Sequence, residues 1–243
     1  MRIIKVNAID STNSFLKEMA LSTALENFTV VVAKHQTSGR GQMNTVWDAE
    51  VGKNLTFSVF SRFFNLLVSN HRYLNFTIAV SVYEALKDLS VPELTIKWPN
   101  DILSEGRKIC GVLIENSLKG VEIQSSIIGI GLNVNEEFIT NSSLKAVSLK
   151  DIFQKEFDLE TVLLLVLEKL QQNVALLNAA QYTNLEKRYL AVLHKKNVPS
   201  MFKTSQNVLF MGKIIGISIQ GKLQIELSDE TIQEFEIKEV SFA

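Results

Sequence analysis

Five short stretches alternate apolar and polar side chains or gather β-branched residues: "FTVVVAKHQ" (28–36), "NLTFSVF" (54–60), "LTIKWP" (94–99), "KICGVLIEN" (108–116) and "VEIQSSIIGIGLNV" (121–134). These lengths and patterns predict strands. Helical spacing lies between some of them. In "DSTNSFLKEMAL" (10–21), hydroxyl and amide residues suited to N-capping precede Phe15, Leu16 and Met19, which predicts an amphipathic helix from near Thr12. "YLNFTIAVSVYEALKDL" (73–89) predicts a second, and the Gly- and Pro-free, Leu-rich span 158–193 predicts one long helix or two packed ones. After His194 the pattern changes to short alternating strands, with Gly221 and Ser228-Asp229 as turn signals. The expected architecture is α/β: a mixed β-sheet with packed helices over 1–193, then a small C-terminal β-barrel over 194–243.

Composition narrows the function classes. The chain has 243 residues, 46% of them hydrophobic and 21% charged, enough for a sizeable core in one large domain or two modest ones. Twenty-five basic residues balance 26 acidic ones at a formal net charge of −1, so no strong field marks the chain for nucleic acid, and no DNA partner is expected. The densest apolar run, "VLLLVLEKL", is interrupted by Glu168 and Lys169, and no secretory leader is evident, so no membrane association and a cytoplasmic location are expected. A lone cysteine, Cys110, excludes an internal disulfide. His35, His71 and His194 stand without partners at metal-ligand spacing, which argues against a structural metal site.

Several familiar templates fail. Gly106 and Gly111 have phosphate-loop spacing, but Val112 and Leu113 stand where Lys and Ser/Thr are required, and Gly129-Ile130-Gly131 lacks the third glycine of a dinucleotide site. No Gly-x-Ser-x-Gly elbow occurs. What remains is a set of polar residues in places where core would be cheaper: Thr12 and Asn13 at a helix start, Gln36 after a strand, Arg40 in a Gly-rich loop, Lys97 to Asp101 after another strand, Lys108 before one, and Asn133 inside one. Burying such groups unpaired costs about 1–3 kcal/mol each, so together they point to a ligand surface.

Five ordered motifs, "STN", "QTSGRG" with Trp47 after it, "KWPNDI", "RKICGVLIE" and "GIGLNVN", span Ser11 to Asn135. On these motifs the chain resembles the biotin–protein ligases, which join biotin to a carrier lysine at the expense of ATP. The resemblance implies a class II synthetase-like catalytic fold, ATP and biotin as substrates, Mg2+ at the phosphates, and a biotin carboxyl carrier domain as partner. It also implies roles. Ser11, Thr12, Asn13 and Gln36 match biotin-binding positions, Gly111 lines the biotin pocket through its backbone, and Gly39, Arg40 and Gly41 belong to a loop that orders over biotinyl-adenylate. Trp47 and Asn133 match positions near adenine, and Asn100 and Asp101 match positions near the phosphates and metal. Arg40 and Lys108 are the candidate catalytic cations, because biotin carboxylate must approach the α-phosphate, an encounter of two anions.

Plainer readings stand beside these. Thr12 fits a helix cap, Trp98 a core aromatic, Lys97 and Asp101 a surface ion pair, and Cys110 strand packing. Lys108, entering an apolar strand, has no comparable structural excuse. The chain also departs from the family pattern at Gln42, Asn44 and Thr45, where arginine and glycine are frequent, and near its end, where glycine before Glu239 and a later arginine are absent. The resemblance is to the monofunctional type without a DNA-binding segment, and it leaves open whether the chain forms a homodimer.

Overall fold

The computed structural model describes residues 1–138 and 146–243. In chain order the elements are β1 (Arg2–Ile9), α1 (Thr12–Ser22), β2 (Thr29–Gln36), β3 (Leu55–Arg62), α2 (His71–Asp88), β4 (Leu94–Lys97), β5 (Asp101–Ser104), β6 (Arg107–Lys119), β7 (Glu122–Leu132), α3 (Leu149–Phe153), α4 (Leu159–Asn178), α5 (Tyr182–Ala191), β8 (Pro199–Thr204), β9 (Leu209–Ile217), β10 (Leu223–Leu227), β11 (Ile232–Phe235) and β12 (Val240–Phe242). The first seven strands form one sheet in the order β1-β2-β3-β7-β6-β5-β4. β1 and β2 run parallel and every other neighbouring pair is antiparallel, which makes the sheet mixed, as expected.

Because successive side chains on a strand point to opposite faces, the apolar runs of β2, β3 and β7 feed two cores. Val30, Phe57, Val59, Ile128 and Ile130 join one cluster with Leu74, Ile78, Val166 and Leu170 from α2 and α4. Val31, Phe60 and Ile127, each one position out of phase, pack instead with Leu16 of α1. Each large apolar side chain so buried contributes about 1.5–3 kcal/mol against leaving it exposed. The span 158–193 is two helices: Ala180 takes φ 53 between α4 and α5, and a left-handed residue ends the first. Glu84 of α2 ties them together by accepting from Asn173 and Arg188.

The tail departs from the barrel expectation. β8 to β12 form an open five-stranded sheet in the order β11-β10-β9-β8-β12. Only residues 236–239 separate β11 from β12, a span of at most about 18 Å, so the two edges lie near one another. They do not pair. The connecting turn uses its own backbone groups, with Glu239 N–H donating to Glu236 O at 3.1 Å and Ser205 N–H to Glu239 O at 2.9 Å, and the edge strands have four and three residues. The tail sheet is fastened to the rest by Arg72 of α2, whose Nη1 donates to Ser218 O at 2.9 Å, and by Trp98 Nε1, which donates to Gly221 O at 3.1 Å. Trp98 also packs on the main core, as the plainer reading had it. Among the described residues no helix is long and apolar enough to cross a membrane.

Candidate active site

The α1 face of the sheet is hollowed out by glycine. Register places Gly131 beside Gly111 on one side and Thr56 on the other, and Gly129 beside Leu113 and Ser58. A Cβ on Gly129 would run into the Asn13 amide, one on Gly131 into the Trp47 indole, and one on Gly111 would sit 3.0 Å from Lys108 Nζ and 3.1 Å from Trp47. These missing side chains leave a cavity of about 220 Å³ bounded by α1, the loop 39–47, β6 and β7.

One end of the cavity is neutral. Gln36, the last residue of β2, turns its side chain to α1, and its Oε1 accepts from Thr12 N–H at 2.8 Å and from Thr12 Oγ1 at 3.0 Å. Thr12 is therefore not acting as a cap. The N-cap is Ser11, which makes no side-chain capping bond; both residues are buried and line the cavity. The hydroxyl of Ser58, wholly buried on β3, lies 2.7 Å from Thr12 Oγ1 and 2.5 Å from Asn13 Oδ1. Asn13 Nδ2 continues the network by donating to Glu115 Oε2 at 2.8 Å.

At the other end the groups are charged. Lys108, within β6, reaches the cavity with Nζ 2.7 Å from Asp101 Oδ1 and 5.5 Å from the centre of the Trp47 ring. The bulge between Ile102 and Leu103 shifts the β5–β6 register here. Asp101 thus pairs with Lys108, whereas the surface-pair reading had given it to Lys97. Asn100 spends its Nδ2 on Val112 O, which fixes the 98–101 link against β6. Arg40 lies back toward the neutral end: its Nη2 donates at 2.8 Å to Glu115 Oε2, the atom that also accepts from Asn13 Nδ2, with Lys17 3.8 Å from the other carboxylate oxygen. The Arg40 side chain is 43% exposed, and pairs of that kind are worth about 0–1 kcal/mol, so an incoming anion can take the guanidinium over. Between Arg40 and Trp47 the loop folds on itself: Gly41 N–H donates to Thr45 O at 2.7 Å and Trp47 N–H to Gly39 O at 3.0 Å. The Trp47 Nε1–H is buried and, among the described residues, has no partner.

A model of the biotin/lipoate A/B protein ligase family matches residues 6–133, which takes in α1, the glycine floor and both ends of the cavity. The chain belongs to that family. It is 30% identical over 233 residues to the bifunctional ligase/repressor BirA of Bacillus subtilis, covering 93% of this chain and 70% of that one. It is 34% identical over 129 residues to the biotin–[acetyl-CoA-carboxylase] ligase of Mycobacterium tuberculosis, covering 52% and 47%. Among solved structures, the biotin protein ligase of Aquifex aeolicus in complex with biotin and ATP superposes with a TM-score of 0.80 at 27% identity, covering 100% of this chain and 98% of that one.

Of the candidate residues in this family member, Ser11, Thr12, Asn13, Gln36, Arg40, Gly41, Trp47, Asn100, Asp101, Lys108 and Gly111 all line the one cavity. Gly39 and Asn133 do not. A Cβ on Gly39 would collide with Trp47 O, so this glycine serves closure of the loop. Asn133 lies just past β7 rather than inside it, and its Nδ2 donates to Lys108 O at 3.3 Å and Val147 O at 3.1 Å, so the amide braces the strand that carries Lys108. Burial raises the Cys110 thiol well above its ordinary pKa, in keeping with packing rather than nucleophilic chemistry. Sequence reasoning overlooked Ser58 and Glu115, which hold Thr12, Asn13 and Arg40 from behind, and, from the tail, Ile237 and Lys238, which line the cavity. A serine and a glutamate in otherwise apolar strands were the available signals for the first two.

Proposed function

We propose that this chain is a biotin–protein ligase, which converts biotin and ATP to biotinyl-5′-AMP and pyrophosphate and then transfers the biotinyl group to a lysine of a biotin carboxyl carrier domain. One observation carries the reading: a single cavity joins a buried, neutral hydrogen-bonding network at Thr12, Gln36 and Ser58 to a fixed ammonium at Lys108. The ureido edge of biotin needs donors and acceptors in fixed places, and the neutral end supplies them. The carboxylate end of biotin then points to Lys108. A carboxylate oxygen attacks the α-phosphorus, the bond to the bridging oxygen breaks, and pyrophosphate leaves with its electron pair. Lys108 and Arg40 offset the charge that accumulates, and Asp101 holds Lys108 in place. The Trp47 ring offers a face for adenine. In the second step the carrier amine attacks the acyl carbon, AMP leaves, and the spare proton passes to solvent. The loop 39–47 keeps water from the mixed anhydride in between.

Asp101, a carboxylate on the cavity wall, fits a divalent cation held mainly by nucleotide phosphates, and Mg2+ bound there would neutralise phosphate charge. Among the described residues no three or more His, Cys, Asp or Glu side chains cluster as metal ligands.

A lipoate or octanoate substrate is disfavoured by the neutral end. An alkyl chain offers no hydrogen bond to a wall of amide and hydroxyl groups, whereas the ureido edge of biotin does. A non-catalytic sensor would have no need for an ammonium at the reacting carboxylate. The test is biotin-dependent exchange of labelled pyrophosphate into ATP. Exchange with biotin and not octanoate supports the proposal, exchange with octanoate supports the lipoate reading, and exchange with neither supports the sensor.

A further inference from the structure

Residues 236–239 form a tight turn closed by Glu239 N–H donating to Glu236 O at 3.1 Å, and the Glu239 carboxylate accepts from Glu236 N–H at 2.7 Å. The third residue of that turn is Lys238, with φ 70. Positive φ at this position is taken without penalty by glycine and at a cost by any residue with a Cβ. A lysine therefore stands where the backbone favours glycine, at the lip of the candidate active site. Its ammonium explains the placement. Lys238 Nζ donates to Met43 O at 2.7 Å, a contact between residues 195 apart in sequence. Met43 itself is held at φ 51 and ψ 45, so a second left-handed residue without glycine's freedom lies at the other end of the bond. Strain meeting strain across a ligand cavity is the pattern expected where a contact serves function. The carboxylates nearest in sequence are already engaged, Glu239 by the Glu236 N–H at 2.7 Å and Glu236 by Lys222 at 2.8 Å.

We propose that Lys238 is a positioning residue that latches the loop 39–47 over the cavity and so slows escape of the acyl-adenylate. Apart from the Trp47 ring packed on Gly111 and Gly131, the loop has few attachments among the described residues: Arg40 holds it through an exposed ion pair, and its backbone hydrogen bonds are internal. Lys238 holds its outer end to the tail sheet, which is anchored to the main body through Ser218 and Gly221. The latch works through the loop and touches no reacting atom. Its loop-closing part stands on geometry alone, and its retention part rests on the functional reading above.

Lys238→Gly is the informative change, because it removes the ammonium while relieving the left-handed strain, so global stability should hold. In the full chain we expect a melting temperature within a few degrees of the unmodified protein. Amide exchange in the loop should be about threefold to tenfold faster, the worth of one exposed charge-assisted bond. Release of pre-bound biotinyl-5′-AMP should accelerate by a similar factor. Lys238→Arg, which keeps a cation within reach, should restore much of both. Unchanged loop exchange in Lys238→Gly overturns the latch. Faster exchange with unchanged release, in a protein whose unmodified form makes adenylate, overturns its part in retention. If the unmodified chain makes no adenylate, the functional reading fails instead, and loop exchange alone still decides whether Lys238 closes the loop.

Discussion

At the Gln36 end of the cavity, Thr12, Asn13 and Ser58 are neutral, buried and hydrogen-bonded within one network, whereas Lys108, at the other end, and Arg40, on the loop and sharing Glu115 with Asn13, are charged, partly exposed and held by carboxylates. The neutral end is built on regular structure, where α1 meets β2 and β3, and its bonds are present before any ligand arrives. The charged end is built partly on a loop that makes few bonds to the sheet. A site of the first kind is preorganised and discriminates by leaving the wrong ligand's partners unpaired. A site of the second kind holds its cations against Asp101 and Glu115 until phosphate competes for them. The expected division is that the neutral end governs which ligand binds, and the charged end governs how fast it reacts.

Mutation can break that division. The largest effect is expected at Lys108: Lys108→Ala should keep its fold and measurable biotin affinity yet form adenylate about a hundredfold to a thousandfold more slowly in single turnover, the usual cost of about 2.7–4 kcal/mol for one transition-state donor. Next comes Gln36→Ala. It removes the acceptor of two bonds from Thr12, and biotin affinity measured by calorimetry should fall about tenfold to a hundredfold. Gly131→Ala would push a methyl into the Trp47 indole, and with an overpacking cost of about 1–3 kcal/mol the apparent KM for ATP should rise about tenfold with biotin affinity little changed. The smallest effect concerns Gln42, which lines the cavity where the family often has arginine. Gln42→Arg should slow release of biotinyl-5′-AMP by a few-fold, as one exposed charge-assisted contact allows.

Much of this layout was legible in the sequence because the decisive signals were local. Strand alternation marked β2, β3, β6 and β7, and the capping residues marked the start of α1 within one residue. β1 escaped because it is an edge strand whose side chains are mostly half-buried or exposed, which blurs alternation. β5 was not separated from the "KWPNDI" motif within which it begins, and α3, with five residues, is too short for helical periodicity to register. The open tail sheet was read as a barrel because alternation predicts strands and is silent on whether the last edge closes on the first. At the site, the motifs gave residue types but not their partners. Ser58 meets Thr12 across 46 positions and Glu115 meets Arg40 across 75, and no local pattern carries such pairings. Asn133, read from the sequence as lying inside an apolar strand, sits just past β7, and its amide braces the backbone of Lys108 and Val147.

The division of labour between the two ends is tested most directly by measuring adenylate formation over a range of biotin concentrations, at saturating ATP, for Gln36→Ala and Lys108→Ala side by side under single-turnover conditions. For Gln36→Ala the half-saturating biotin concentration should rise tenfold or more while the limiting rate stays within about threefold of the unmodified protein. For Lys108→Ala the limiting rate should fall by at least about a hundredfold with half-saturation little moved. A matched loss of limiting rate in both variants, or a Lys108→Ala protein that reacts at close to the unmodified rate, would contradict the account.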